Sequence, residues 1–317
     1  MNLVLTGSIA FDYLMTFPGK FKDHILPEHL DHLSLSFLVT SLIRRPGGVA
    51  TNIAYTLALL DEHPRVMATV GPDFEPQLKE LAELGVDTSA IRIIPGVPTA
   101  SFFANTDETN AQIASFFPGA MAHAGELCFK DLETRPDLAV ISPNDPGAMV
   151  EYCKECVELD IPYLYDPSQQ TVRLSREEME IGVTGAYALF CNDYEFALIK
   201  DKTGWSLDDI RGLVDLLVIT RGKAGSDLYQ AGEHVHVPVA QEVCISDPTG
   251  VGDAFRAGFL KGYAQGLSLE RCGQLGAVAA TYCLEAESPQ GHSFVLSEFV
   301  ERFRANFDDG GDLDGWL

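Results

Sequence analysis

The residues best placed to do chemistry lie together in Ser246-Asp247-Pro248-Thr249-Gly250-Val251-Gly252-Asp253-Ala254-Phe255. Gln241 to Ile245 reads as a β-strand and the glycines as a loop. The run from Asp253 onward reads as a buried helix mixing small residues (Ala254, Ala257, Gly258, Gly262) with bulky ones. Gly250, Val251 and Gly252 then stand at a helix N-terminus, where unpaired N–H groups and about half a positive charge face outward. Such a turn suits a phosphate or a developing oxyanion. Asp253 puts a carboxylate beside it. A site that only bound phosphate gains nothing from a neighbouring anion, whereas one that moves a phosphoryl group onto a hydroxyl needs a base there. On this stretch alone, an acidic residue favoured by the helix dipole explains Asp253 equally well. The rest of the chain has to decide.

Other polar residues recur at strand ends. A first strand, Leu3 to Thr6, stops at Gly7-Ser8 with Asp12 shortly after. That is where α/β sheets place ligand contacts, although a turn uses an aspartate equally well. Pro46-Gly47-Gly48 precede an almost wholly apolar helix carrying Asn52 in its first turn. Backbone at Gly47 and Gly48 can approach a ligand closely because no Cβ intervenes, and a buried Asn52 must meet backbone or ligand hydroxyls. Tyr163 to Tyr165 ends in the polar cluster Asp166-Pro167-Ser168-Gln169-Gln170. Ala188 to Cys191 leads to Asn192 and Glu195, an amide and a carboxylate on one helix face that suit metal-bound water and phosphate. Leu216 to Ile219 runs into Thr220-Arg221-Gly222-Lys223-Ala224-Gly225, a second glycine loop fit for an anionic tail. It lacks the G-K-[ST] ending of a P-loop, and no G-x-G-x-x-G opens the chain, so P-loop ATPases and Rossmann dehydrogenases both fit poorly.

The elements that position these residues follow an α/β rhythm. Strands read near 66–71, 138–142, 163–165, 188–191 and 216–219, and helices near 49–60, 75–84, 147–159 and 268–285. Two insertions break the rhythm. Residues 34–45 read as a strand, and residues 99–106 and 111–117 flank Asp107 to Asn110 as a hairpin. Together they predict a small antiparallel β lid. Phe102, Phe103, Phe116 and Phe117 come as adjacent pairs, so one of each pair faces either side of it, against a flat apolar ligand or against core. The predicted division is a core of residues 1–11, 46–96 and 118–307, a lid of 12–45 and 97–117, and an acidic, disordered tail, 308–317.

Composition excludes several classes. A net charge of −24, from 22 basic and 46 acidic residues, argues against nucleic acid and anionic membrane surfaces as partners. It leaves room for an anionic cofactor met by local positive groups and a metal ion. The 46% apolar content supports a large core, and mean hydropathy is +0.05. No apolar segment approaches membrane-spanning length and no signal peptide is expected, so the predicted location is cytoplasmic. Seven cysteines without regular spacing read as reduced thiols. Cys153 and Cys156 form a C-x-x-C pair with no second pair to complete a zinc site, so a structural role on a helix is expected. His24, His29 and His32 follow no metal-site spacing and read as a solvated face.

Four spaced elements now stand together: G-G-x-x-x-N at Gly47, N-x-x-E at Asn192, T-x-G-x-x-G at Thr220 and D-P-T-G-V-G-D at Asp247. In this order they resemble the ribokinase-like (PfkB-type) carbohydrate and nucleoside kinases, over the chain up to about Arg304. The stretches around Gly7, Ser34, Ala111 and Asp166 look like the bacterial adenosine kinases, as found in actinobacteria. The resemblance implies a three-layer α/β/α domain with a mostly parallel sheet, and transfer of phosphate from ATP to the 5′-hydroxyl of adenosine. Asp253 would be the base, and the N–H groups of Gly250, Val251 and Gly252 the anion hole. Asp12, Gly48 and Asn52 would grip the ribose, with Gly47 beside them and Ser8, Ser36, Phe102, Phe116, Gln169 and Gln170 around the base ring. Asn192 and Glu195 would organise Mg²⁺ and its waters, Thr220, Gly222 and Gly225 would border the ATP phosphates, and Arg173 would add a phosphate contact. Whether K⁺ activates is left open, and a homodimer through an exposed lid face is a hypothesis open to sedimentation. Sugar kinases, or a silent nucleoside-binding protein on the same scaffold, are the alternatives. A sugar-phosphate acceptor calls for Lys or Arg in the lid, where the sequence offers paired Phe. Two departures stand out: Pro248 where the family usually has Thr, and Asp61-Glu62 in place of the Gly that commonly ends the helix after Leu60.

Overall fold

The computed structural model describes residues 1–25 and 34–317. At its centre runs a nine-stranded sheet in the order β13-β12-β11-β10-β9-β8-β1-β4-β5. Strands β1 (Leu3–Thr6), β4 (Arg65–Val70), β5 (Ile91–Ile93), β8 (Leu138–Ile141), β9 (Tyr163–Tyr165), β10 (Ala188–Asn192) and β11 (Leu216–Thr220) pair in parallel. At one edge β12 (Ser226–Gln230) and β13 (Glu233–Val237) turn antiparallel. The inner strands from β11 to β4 are buried on both faces, as their near-continuous apolar runs require, while the edge strands β5 and β13 are only partly covered. Alternation along β1 sorts the two cores: Leu3 and Leu5 join one cluster and Val4 the other.

The first cluster receives α1 (Val49–Leu59), α2 (Glu75–Glu83), α7 (Val251–Ala264), α8 (Leu269–Glu285) and α9 (Leu296–Asn306). The second receives α3 (Pro146–Glu158), α4 (Arg176–Thr184), α5 (Asp193–Thr203) and α6 (Leu207–Leu213). This is the expected three-layer, ribokinase-like architecture. Helix α7 lies almost backbone to backbone on α8: a Cβ on Gly258 would come 2.4 Å from the Leu275 carbonyl oxygen. The small residues of α7 serve that approach. Helix α1 ends without a glycine because Asp61 itself takes the left-handed conformation, φ 60°, and Glu62 pairs with the buried Lys261 at 2.9 Å. Cys153 and Cys156 are buried free thiols of α3, Cys153 pushed up to about 12 by burial.

The lid is a four-stranded sheet, β3-β2-β6-β7, of β2 (Ala10–Thr16), β3 (Ser41–Gly47), β6 (Ala100–Thr106) and β7 (Gln112–Phe117). Its outer pairs are antiparallel but its central pair, β2 with β6, is parallel, because those strands enter from separate insertions. Expectation and structure differ in three further places. Residues 34–40 are irregular and only Ser41–Gly47 forms a strand. Residues 241–245 form no strand; they pass the end of α8 as an irregular segment, where Val243 N donates to Glu285 Oε1 and Val243 itself is exposed. The acidic tail is not loose. Leu313 is fully buried, Asp309 and Asp314 pair with Arg304, Asp312 pairs with Arg271, and Trp316 lies under Lys261. Basic residues on α7, α8 and α9 thus offset the charge that argued for disorder. His24 is exposed beside Phe17, and His29 and His32 lie outside the described residues. Among the described residues no helix is long and apolar enough to cross a membrane.

Candidate active site

Helices α1 and α7 pack together, and both begin on a glycine with positive φ, Gly48 at 101° and Gly250 at 77°. Neither N-terminus has a side-chain cap, whereas α3, α4, α5, α6 and α8 are capped by Asp145, Ser175, Asn192, Ser206 and Ser268. At α1 Val49 N and Ala50 N already donate to Ser8, and at α7 Val251 N donates to the Pro248 carbonyl. The open first-turn donors a ligand anion can use are therefore Gly252 N and Asp253 N, which have no acceptor among the described residues. Both glycines are forced. A Cβ at Gly48 would stand 2.4 Å from the Ser8 carbonyl oxygen, and one at Gly250 would stand 2.6 Å from Pro289 Cβ.

Between the two helices Asn52 Nδ2 donates to Asp253 Oδ2 at 2.9 Å. Gln290, just beyond α8, donates to Asn52 Oδ1, also at 2.9 Å, which fixes which way the amide points. Burial raises the Asp253 carboxyl to about 6, with Arg256 and Asn52 working against it and Asp166 and Glu195 adding to it. Asp253 is therefore a carboxylate whose basicity lies close to neutral pH, where a general base works best.

Asp12 comes in from the lid. It lies opposite Phe102 on β6, and Phe102 lies opposite Phe116 on β7, so the three side chains share one lid face. Burial and the nearby Asp247 raise Asp12 to about 6, which places that face toward the loop leading into α7. A Cβ on Gly47 would come 2.5 Å from Asp12 Oδ2, so the glycine leaves that carboxylate its room. Ser8 is buried, and its Oγ accepts from Val49 N at the start of α1.

On the other side, Asn192 and Glu195 form a capping box on α5: Asn192 N donates to Glu195 Oε2 and Glu195 N to Asn192 Oδ1, both at 2.8 Å. Asn192 lies opposite Thr220, and Thr220 lines a small cavity with Gly252 and Arg256. Burial, then Asp166, raise the Glu195 carboxyl. Gly222 opens an exposed turn, φ 54°, and Gly225 is buried against Val237.

The structure thus gathers Asp253, Asn52, Gly47, Gly48, Ser8, Asp12 and the Gly250–Val251–Gly252 turn, with Thr220 and Asn192 adjoining. It leaves Gln169, Arg173 and Ser36 with exposed side chains and no hydrogen-bond partner among the described residues. Gln170 turns inward and donates to the Asn144 carbonyl. Sequence reasoning named Asp166 only within a polar cluster at a strand end, missed Arg256 and Gln290, and overlooked Arg45. That residue lies opposite Asp12 and shares its lid face, 3.6 Å from Glu287. The adjacent arginines at the end of β3 were the available signal.

A sequence profile of the pfkB family carbohydrate kinases matches residues 19–293. The chain belongs to that family. A nucleoside kinase from Burkholderia thailandensis, solved in complex with inosine, is 34% identical, covers 96% of this chain and 98% of its own, and superposes with a TM-score of 0.87. The nucleoside kinase of Methanocaldococcus jannaschii is 29% identical over 95% of this chain and 96% of its own length. The Thermotoga maritima ribokinase shares the fold, at 21% identity and a TM-score of 0.79.

Proposed function

We propose that this pfkB-family kinase transfers the γ-phosphoryl group of ATP to the 5′-hydroxyl of a nucleoside, adenosine in the first place. The reading rests on one observation: a buried carboxylate, Asp253, held at the uncapped start of α7 and overlooked by a lid face carrying Asp12, Phe102 and Phe116. The ribose binds between Asp12, Gly48 and Asn52, with the base ring against the two phenylalanines. Asp253 takes the proton from the 5′-hydroxyl as its oxygen forms the new bond to phosphorus, and ADP leaves with the electrons of the broken one. The first-turn N–H groups of α7 meet the charge on the transferring group, and lid closure excludes water.

The described residues include no cluster of three or more carboxylate, histidine or cysteine side chains that could hold a metal ion. Asn192 and Glu195, paired with each other at the start of α5, are the residues that would hold the water of a Mg²⁺ accompanying the nucleotide. When bound, the ion neutralises charge on the phosphates. The nucleoside kinases among the relatives, and the bound inosine of one of them, support the acceptor class.

One observation favours a second reading. Arg45 puts a cation on the lid face, as an acceptor that already carries phosphate would need, and a relative is an ATP-dependent ribose-1-phosphate kinase, 26% identical over 73% of this chain. ADP release measured across adenosine, inosine, ribose, fructose and ribose 1-phosphate decides. Turnover is expected to be strongest on adenosine, and activity confined to the sugars would overturn the proposal.

A further inference from the structure

Asp253 is held on both oxygens. Oδ2 accepts from Asn52 at 2.9 Å, and Oδ1 faces Arg256 Nη1 at 3.4 Å. The other end of the same guanidinium donates from Nη2 to Asp166 Oδ1 at 2.6 Å and to Ser168 Oγ at 3.0 Å. Ser168 in turn donates to Asp166 Oδ1 at 2.6 Å. Asp166 is wholly buried and the Arg256 side chain is 9% exposed. Arg256 Nε has no partner among the described residues, so the two terminal nitrogens alone hold the group. It passes directly under the phosphate-facing turn, since a Cβ at Gly252 would stand 3.0 Å from Nη1.

Stability does not explain this cluster. A buried arginine with carboxylates is often no better than well-packed apolar side chains of the same volume, and the surrounding residues of α7 (Phe255, Ala257, Phe259) are apolar. What the guanidinium does supply is direction. It joins a carboxylate on a helix to a fixed point on the sheet, the end of β9, and stops the Asp253 side chain from turning about its Cα–Cβ bond. Among the described residues the charged groups facing Asp253 are Arg256 on its own helix, Asp166 beyond β9 and Glu195 on α5, so Arg256 is the one cation there among three carboxylates.

We propose that Arg256 is a positioning residue for phosphoryl transfer: it ties Asp253 to Asp166 and Ser168 and so holds the base aimed at the acceptor hydroxyl. Arg256 itself need touch no reactant. The proposal rests on Asp253 being the base.

Arg256→Lys keeps the charge but cannot bridge both partners in the fixed fork of a guanidinium. Ser168→Ala removes one anchor and leaves every charge in place. Kinetics on the acceptor that the wild type uses, melting temperature, nucleoside binding by calorimetry and the pH profile of kcat/KM are measured for both variants and for Asp253→Asn. With Arg256→Lys, kcat is expected to fall about 10- to 100-fold while KM and nucleoside affinity stay within about threefold. Ser168→Ala is expected to cost about threefold in kcat at unchanged KM, and the acidic limb moves upward when the tie is loosened. Should Arg256→Lys not fold, Ser168→Ala with its pH profile decides. A kcat unchanged in the folded variants, or kcat, affinity and melting temperature falling together with an unmoved limb, would overturn the proposal. If Asp253→Asn keeps wild-type turnover, the base assignment fails first; if Asp253→Asn is inactive and the Arg256 and Ser168 variants are not impaired, only the tie fails.

Discussion

The two halves that meet at Asp253 are built in opposite ways. On the core side the polar groups are committed before any ligand arrives: Gln290 to Asn52, Asn52 to Asp253, Arg256 to Asp253 and Asp166. On the lid side they are free. Phe116 is 42% exposed, Ser36 is exposed, and the Asp12 carboxylate has no hydrogen-bond donor among the described residues although it is half-buried and raised to about 6. On the proposed function, orientation is fixed where the reaction would need it, and partners are left open where a bound acceptor would supply them. The core half should therefore govern turnover and the lid half affinity.

The largest test of that division is Asp253→Asn, expected to lower kcat by about 10² to 10⁴ with acceptor KM little changed. Steady-state kinetics checks it, and near-normal turnover would remove the core half from the chemistry. Gly250→Ala comes next. The left-handed φ and the 2.6 Å approach to Pro289 leave no room for a methyl group. Displacing the anion-binding turn should cost about 10² in kcat. Phe116→Ala should act on the other half, raising acceptor KM about tenfold while kcat and melting temperature hold, because the ring is already exposed. A fall in kcat alone would break the contrast.

The pH dependence sharpens it. As the proposed base, Asp253 would have to be ionised to act, so kcat should rise as pH climbs through about 6. Stability moves the other way. A carboxyl whose pKa is raised on folding contributes stability that is fully present below its unfolded value, near 4, and is lost as pH rises through about 6. Chemical denaturation between those limits should show wild-type stability falling, and Asp253→Asn should flatten the slope while Asp12 keeps part of it. The smallest effect on activity is expected from deleting residues 310–317. That removes the buried Leu313 and costs about 2 to 4 kcal/mol of stability with kcat unchanged.

The core was largely legible in the sequence because its signals are local. Glycines before apolar helices, a capping box, and polar residues just past buried strands each specify their own backbone. The lid was less so. Residues 34–45 carry apolar alternation throughout, yet only Ser41–Gly47 pairs, since pairing depends on β2, which sequence reasoning left unassigned, while the hairpin fixes β6 and β7 locally. The Arg256 tie was hidden for a different reason. Its anchors are 88 and 90 residues away, and an arginine three positions after an aspartate on a helix reads as an ordinary surface pair until its burial is known. The acidic tail misled because composition records charge but not the arginines that meet it.

The Asn52–Asp253 bond spans 201 residues. The strand that leads into the site, β1, is the first element of the chain yet sits inside the sheet, between β8 and β4. During synthesis Asn52 therefore leaves the ribosome long before its partner Asp253 does. Until α7, α8 and the Gln290 turn have emerged, no nascent chain can make the contacts that hold Asn52 against Asp253.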